Sequence, residues 1–177
     1  MLLLSIDLVT SGLDPDTCQI LEIGAVLFDP GNPGFRWRFF EALVYDGGPI
    51  VGDPFALALN HDILQSIADG ARTINSDSIA SELSGFVRSH TDEKVTIVGK
   101  NFDAFDGRFL AKLPEWGIFT CFERRTLDLG ALFYDRNTGI PSLATIKAKC
   151  GLGNMIAHRA LQDAQDAASC ISWLYRG

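Results

Sequence analysis

Three acids far apart in the chain, Asp7, Asp106 and Asp163, occupy settings in which a carboxylate could do chemistry, and an imidazole, His158, lies five residues ahead of the last of them. Asp7 falls inside the apolar run LLLSIDLVTSGL of residues 2–13. An unpaired ionised carboxylate in an apolar interior is costly enough that it protonates, finds donors or a cation, or binds a metal. A plainer reading of Asp7 alone is a strand-end acid that hydrogen-bonds the Thr10-Ser11-Gly12 turn. The other two acids tip the balance, because gathered carboxylates repel one another and are stable chiefly with divalent cations between them. Oxygen-only ligands suit Mg²⁺ or Mn²⁺ rather than zinc. Two such ions about 3.5 to 4 Å apart clamp the attacking and leaving oxygens of a phosphodiester, and a neutral histidine nearby can take a proton from the attacking water.

The elements that must hold these groups can be read in order. Residues 2–13 give a strand and a turn, residues 19–28 (QILEIGAVLF) a second strand, and residues 35–45 a third, each closed by Gly/Pro/Asp/Asn clusters. Short connections make the three an antiparallel meander. Residues 46–54 read as the loosest loop, and helical spacing follows over 62–68 and 76–89. Strand then alternates with helix: a strand over 95–99, a helix over 102–113, a strand within 119–127, and helices over 128–134, 143–150 and 159–175. A meander followed by βα units predicts an α/β fold with one mixed sheet and helices on both faces. On this reading Asp7 is on the first strand, Asp106 in the helix after the fourth, and Asp163 in the first turns of the last helix.

Composition bounds the rest. At 177 residues and 47% hydrophobic content the chain predicts a single domain over residues 1–177. Asp7 interrupts the apolar start too early for a signal peptide, and no run approaches the ~20 residues of a membrane span, so a cytoplasmic protein with no membrane partner is expected. Cys18, Cys121, Cys150 and Cys170 form no C-x-x-C pair and read as core thiols. The net charge of −7 argues against a general nucleic-acid coat, but the basic residues concentrate after residue 99. Lys100, Arg108, Lys112, Arg124, Arg125, Lys147, Lys149 and Arg159 are candidate phosphate contacts, with solvated helix faces the plainer reading for most.

Three motifs in order resemble the DEDDh-type 3′-to-5′ exonucleases of the ribonuclease H-like superfamily, a group that includes proofreading subunits and oligoribonucleases. The first, hydrophobic-Asp-x-Glu-x-Thr-Gly-Leu, is matched by Ile6-Asp7-Leu8-Val9-Thr10-Ser11-Gly12-Leu13, followed by Ile20-Leu21-Glu22-Ile23-Gly24-Ala25-Val26. The second is matched by Asn101, Phe105, Asp106, Phe109 and Leu110, and the third by His158-Arg159-Ala160-Leu161-Gln162-Asp163-Ala164. The resemblance covers nearly the whole chain. It implies a ribonuclease H-like sheet and a metal-dependent exonuclease releasing nucleoside 5′-monophosphates from single-stranded 3′ ends with two Mg²⁺ or Mn²⁺ ions. By the same resemblance Asp7 bridges both ions, Asp163 holds the first, Asp106 supports the second and His158 is the general base. The turn Ser11, Gly12 and Leu13 meets the terminal nucleotide, with Leu13 packing on its base. Asp103 and Asp166, near misses for the motif spacings, are assigned to helix surfaces.

One departure matters. Where the family has glutamate two residues after the first Asp, on the same strand face, this chain has Val9. That removes a ligand of the water-activating ion, and Glu22 is not an obvious replacement because family members that keep the motif Glu tend to have an acid there as well. The departure leaves two expectations: an exonuclease of reduced activity, or a degenerate domain that binds nucleic-acid ends or a protein partner. A different small-molecule phosphodiester as substrate is compatible with the same residues, and protein partners are unspecified.

Overall fold

The computed structural model describes residues 1–118 and 121–175. Its central strand is β1 (Leu3–Thr10), in which every residue but Asp7 is buried. β2 (Ile20–Phe28), buried throughout, pairs antiparallel with it, from Leu3 opposite Phe28 to Val9 opposite Glu22, and the register shifts between Val9 and Thr10. β3 (Arg38–Val44) continues the meander antiparallel, and β4 (Thr73–Ile74) adds a parallel edge. On the other side β5 (Thr96–Gly99) lies parallel to β1, and β6 (Leu127–Asp128) lies parallel to β5. The sheet order is β4-β3-β2-β1-β5-β6. This is the α/β architecture expected from the sequence: a mixed sheet with helices on both faces.

Period-two alternation divides β1 between two cores. Leu4, Ile6 and Leu8 pack with Ile79, Leu83 and Val87 of α3 (Ile79–Arg88) and with Phe109 and Leu110 of α4 (Asp106–Leu110). Leu3 faces the other way, with Val26, Phe28 and Val98, against Ala164, Ala167, Ala168 and Ile171 of α7 (Ala160–Leu174). Asp7 shares the face of Leu3, so it points to the side that α7 covers. The buried positions of α7 repeat at helical spacing, and half of them are alanine, so the helix can approach the sheet closely. The approach is closest at Gly24, directly opposite Asp7: a Cβ there would lie 2.1 Å from the Leu161 nitrogen and 2.3 Å from the Ala160 carbonyl carbon. A missing side chain in β2 thus gives the first turn of α7 its seat beside Asp7.

The remaining helices are α1 (Pro54–Leu59), α2 (His61–Ala68), α5 (Leu129–Leu132) and α6 (Leu143–Lys149). Four local expectations need correction. The 46–54 loop ends sooner than expected, because Asp53 caps α1 by accepting from the Phe55 and Ala56 amides and Pro54 stands at its first position. The two-residue edge β4 was not anticipated. The helix expected over 102–113 is a 3₁₀ turn (Phe102–Ala104) followed by α4, broken at Phe105 (φ −127°, ψ −81°). The strand expected within 119–127 reduces to β6 and a single bridge between Val95 and Phe122, and residues 119–120 lie outside the described residues. Among the described residues no helix is long and apolar enough to cross a membrane.

If Gly24 is the seat of α7, Gly24→Ala should destabilise the fold by at least about 1–3 kcal/mol in urea unfolding, through overpacking against backbone that cannot move aside. Gly31→Ala is the control, because the nearest atom to its added Cβ is the flexible Asp29 Oδ1 at 3.6 Å. Equal effects at the two positions would show that α7 does not bear on Gly24.

Candidate active site

Where β1 runs past the end of β5, its backbone loses a neighbour. The β1–β5 ladder stops at Ser5 opposite Val98, so the Leu8 amide has no strand partner on that side. Asp106, at the start of α4, takes its place: Oδ1 accepts from the Leu8 N–H at 2.9 Å. Asp106 is 3% exposed, and burial pushes its carboxyl up to about 7 despite that bond. Asp163, in the first turn of α7, is also buried, with Oδ1 accepting from the Ala157 N–H at 3.2 Å. Burial raises its carboxyl too; the Ala157 bond opposes this, Asp166 adds to it, and His158 and Lys147 work against it.

Asp7 is different. It is partly open to a cavity of about 940 Å³, and among the described residues no hydrogen-bond donor reaches its carboxylate. Burial, and then repulsion from Asp106, Asp163 and Glu22, pushes its carboxyl well above the usual range. Asp163 and His158 line the same cavity, with Val9, Gly12, Leu13 and Lys100. His158 is exposed and held at φ 53°, in the left-handed region that non-glycine residues avoid.

The other expected site residues fall into two groups. Gly12 and Leu13 are on the cavity wall, and Leu13 is 78% exposed. Ser11 is not on it. Ser11 is fully buried, its Oγ donates to the Val51 carbonyl and accepts from the Gln19 amide, and its own carbonyl accepts from Asp53. As a nucleotide contact Ser11 is therefore corrected: its side chain fastens the turn to the loop before α1. Asp103 does lie at the surface, bonded to Thr126. Asp166 does not: it is largely buried and paired with Lys147. Lys147 is thereby removed from the phosphate candidates, whereas Arg159 and Lys112, paired with Glu22 and Asp16, stay about half exposed.

Glu22, fully buried and directly opposite Val9, is the group that the motifs alone did not explain. It accepts from Arg159 Nε at 3.0 and 3.1 Å, from Arg159 Nη2 at 2.6 Å and from the Ala160 amide at 2.8 Å. Its charge is spent on the entry to α7. Glu22 cannot stand in for the missing motif glutamate, and Val9 packs instead with Ile63, Ile67 and Ala160. The fit to a divalent ion follows from the donors. Among the described residues Asp7 offers an unpartnered carboxylate beside the Asp106 and Asp163 carboxylates, an oxygen donor set whose chemistry suits a hard cation. Yet no group of three or more His, Cys, Asp or Glu side chains is gathered closely enough among the described residues to hold one.

No protein-family model matches the sequence, and no curated protein matches it. Solved structures do. The chain superposes on Escherichia coli exonuclease I in a zinc-bound complex with single-stranded DNA (TM-score 0.72, 16% identity, 99% of this chain and 40% of that one). It superposes similarly on the same enzyme with a dT oligonucleotide (TM-score 0.71, 17% identity, 99% and 41%). A third match is a moderately thermophilic exonuclease I from Methylocaldum szegediense (TM-score 0.69, 16% identity, 99% and 40%). The fold is ribonuclease H-like. The chain spans about two fifths of the length of these structures.

The raised carboxyls set a pH dependence. A folded acid that holds its proton more tightly than the unfolded chain makes the native state bind more protons, so stability falls as pH rises through the interval between the two pKa values. For Asp106 that interval runs from 3.8 to about 7, and Asp7 and Asp163 act in the same direction. In chelator-treated buffer the protein should lose stability from pH 4 to pH 7. Asp106→Asn, which keeps an acceptor for Leu8, should flatten the slope. A flat wild-type profile in urea unfolding would contradict these assignments.

Proposed function

We propose that this chain is a metal-dependent 3′-to-5′ exonuclease domain acting on single-stranded nucleic acid, with reduced metal affinity. The observation that carries the reading is Asp7: a carboxylate without a donor, flanked by Asp106 and Asp163, opening onto a cavity that also holds an exposed imidazole. The likeness to exonuclease I structures, two of which contain single-stranded DNA or an oligonucleotide, supports a nucleic-acid strand as the ligand of that cavity. Asp7, Asp106 and Asp163 would hold Mg²⁺ or Mn²⁺, which supplies charge neutralisation at the phosphate and lowers the pKa of a bound water. His158 removes the proton from the attacking water, Leu13 packs against the terminal base, and Lys100 on the same wall faces the phosphate. Hydrolysis places the hydroxyl on phosphorus, leaves a 3′-OH on the shortened strand and releases a nucleoside 5′-monophosphate.

A second reading is favoured by Val9 and by the absence, among the described residues, of a gathered three-ligand cluster: a domain of this fold that holds a strand end without cutting it. Its site keeps the cavity and loses turnover.

A labelled single strand incubated with Mn²⁺ and with Mg²⁺ separates the two. The enzyme reading expects stepwise shortening from the 3′ end, greater with Mn²⁺, whose geometry is less demanding. His158→Ala should lower turnover by about 10²- to 10⁴-fold with strand affinity nearly unchanged; equal loss of both makes His158 a strand contact. Val9→Glu would place a second buried carboxylate opposite Glu22, so the metal-free variant should be less stable by on the order of 1–3 kcal/mol. Mn²⁺ should raise its melting temperature more than it raises the parent's, because binding to the native state alone stabilises it. A variant that gains neither metal response nor activity favours the binding domain.

A further inference from the structure

Lys147, near the end of α6, is only 5% exposed, which is rare for a lysine unless its charge is paired. Its Nζ donates to the Asp166 carboxylate on α7 and to the Met155 carbonyl in the connection between α6 and α7. Its own carbonyl accepts from the Leu152 amide at 2.9 Å, at the start of that connection. Asp166 lies three residues after Asp163, on the same side of α7. The Asp163 carboxylate in turn accepts from the Ala157 amide. Residues 155–157 are therefore suspended between two acids of one helix face: the Met155 carbonyl through Lys147 to Asp166, and the Ala157 N–H directly to Asp163. Ile156, between them, lines the cavity, and His158 follows in its left-handed conformation.

We infer that Lys147 is a positioning residue for the site: through Met155 and Asp166 it fixes the connection that aims His158 and orients the Asp163 carboxylate. A flexible connection of this length would let the imidazole sample many directions. Two anchors on consecutive turns of a helix that is itself seated on the sheet leave it one. Lys147 touches neither the strand nor the reacting atoms, and its work passes through Asp163 and His158. The inference rests on the exonuclease reading for its catalytic consequence, but its structural content does not.

The test uses Lys147→Met, Lys147→Arg and the double variant Lys147→Met/Asp166→Leu, the last because a lone buried Asp166 charge can prevent folding. Turnover is measured on the labelled single strand with Mn²⁺, and amide hydrogen exchange is read residue by residue on the metal-free protein. Lys147→Met, or the double variant where the single one does not fold, should lower kcat by roughly 10- to 100-fold with KM changed little, as expected for a misplaced catalytic group. The Ala157 amide should exchange about tenfold faster or more while those of Val26 and Ile171 keep their protection. Lys147→Arg should recover most of both. Wild-type kcat and wild-type Ala157 exchange in a folded variant would overturn the inference, as would a uniform rise in exchange across the core, which would make Lys147 merely structural. If the parent protein cuts no strand with either metal, the exonuclease reading fails, and exchange at Ala157 alone decides whether Lys147 holds the connection.

Discussion

The seating of the first turn of α7 on β2 is the constraint on which the site depends. Gly24 gives up its side chain so that Ala160 and Leu161 can sit against the sheet, and Glu22, two residues away on the same strand face, ties down Arg159 and the Ala160 amide. The two features serve different purposes. The glycine sets the distance; the charged clamp sets the rotation and register of the helix, since a bidentate guanidinium–carboxylate pair is satisfied in few orientations. A buried ion pair is poor evidence for net stability, because desolvation offsets much of the attraction. Its use here is geometric: one residue either way along α7 would carry Asp163 off the face that meets Asp7.

That clamp also shows why valine is structurally quiet at position 9. Val9 faces Glu22 across the β1–β2 ladder and packs with Ile63, Ile67 and Ala160. A glutamate there would meet a neighbouring carboxylate in an apolar seam, and a proton or a cation would have to relieve the repulsion. With valine the seam closes without one. The remaining acids are still frustrated: among the described residues Asp7 has no donor, burial raises all three carboxyls, and repulsion from Asp106 and Asp163 raises Asp7 further. Such frustration makes the stability of the domain sensitive to pH.

Much of this was legible in the sequence. The meander, the βα units and the span of α7 follow from period-two and helical spacing, and Asp7, Asp163 and His158 fall on the expected elements because each sits next to a strong strand or helix pattern. Asp53-Pro54 was a readable start signal for α1, a cap followed by proline, that was absorbed into a loop rich in glycine and proline. Other features were not readable. Nothing local distinguishes Lys147 or Asp166 from ordinary solvated helix charges; their burial is decided by where the connection after α6 folds back, a tertiary event. Ser11 likewise carries a motif position yet turns inward, because its hydroxyl donates to the Val51 carbonyl and accepts from the Gln19 amide. Side chains of this kind take their roles from partners that sequence spacing does not specify.

The backbone makes the same point at the two ends of the site. Among the described residues only Asn101 and His158 are non-glycine residues with positive φ, and each stands just ahead of an element that carries a site acid: Asn101 before α4 and Asp106, His158 before α7 and Asp163. Asparagine tolerates that region better than most residues, and the Asn101 amide is fixed at 2.6 Å from Asp128 Oδ2. His158 has less intrinsic tolerance and is flanked by stronger anchors, the Ala157 amide on Asp163 and Arg159 on Glu22. Strain of this sort persists only where the surroundings over-determine it. Here the surroundings are the seat of α7, the Glu22 clamp and the Lys147 anchor, so the strained imidazole and the network behind it belong to one construction. Releasing the connection in a variant that keeps its fold should relax His158 toward an ordinary loop conformation, because the sheet and the two cores on its faces do not depend on the connection that carries it.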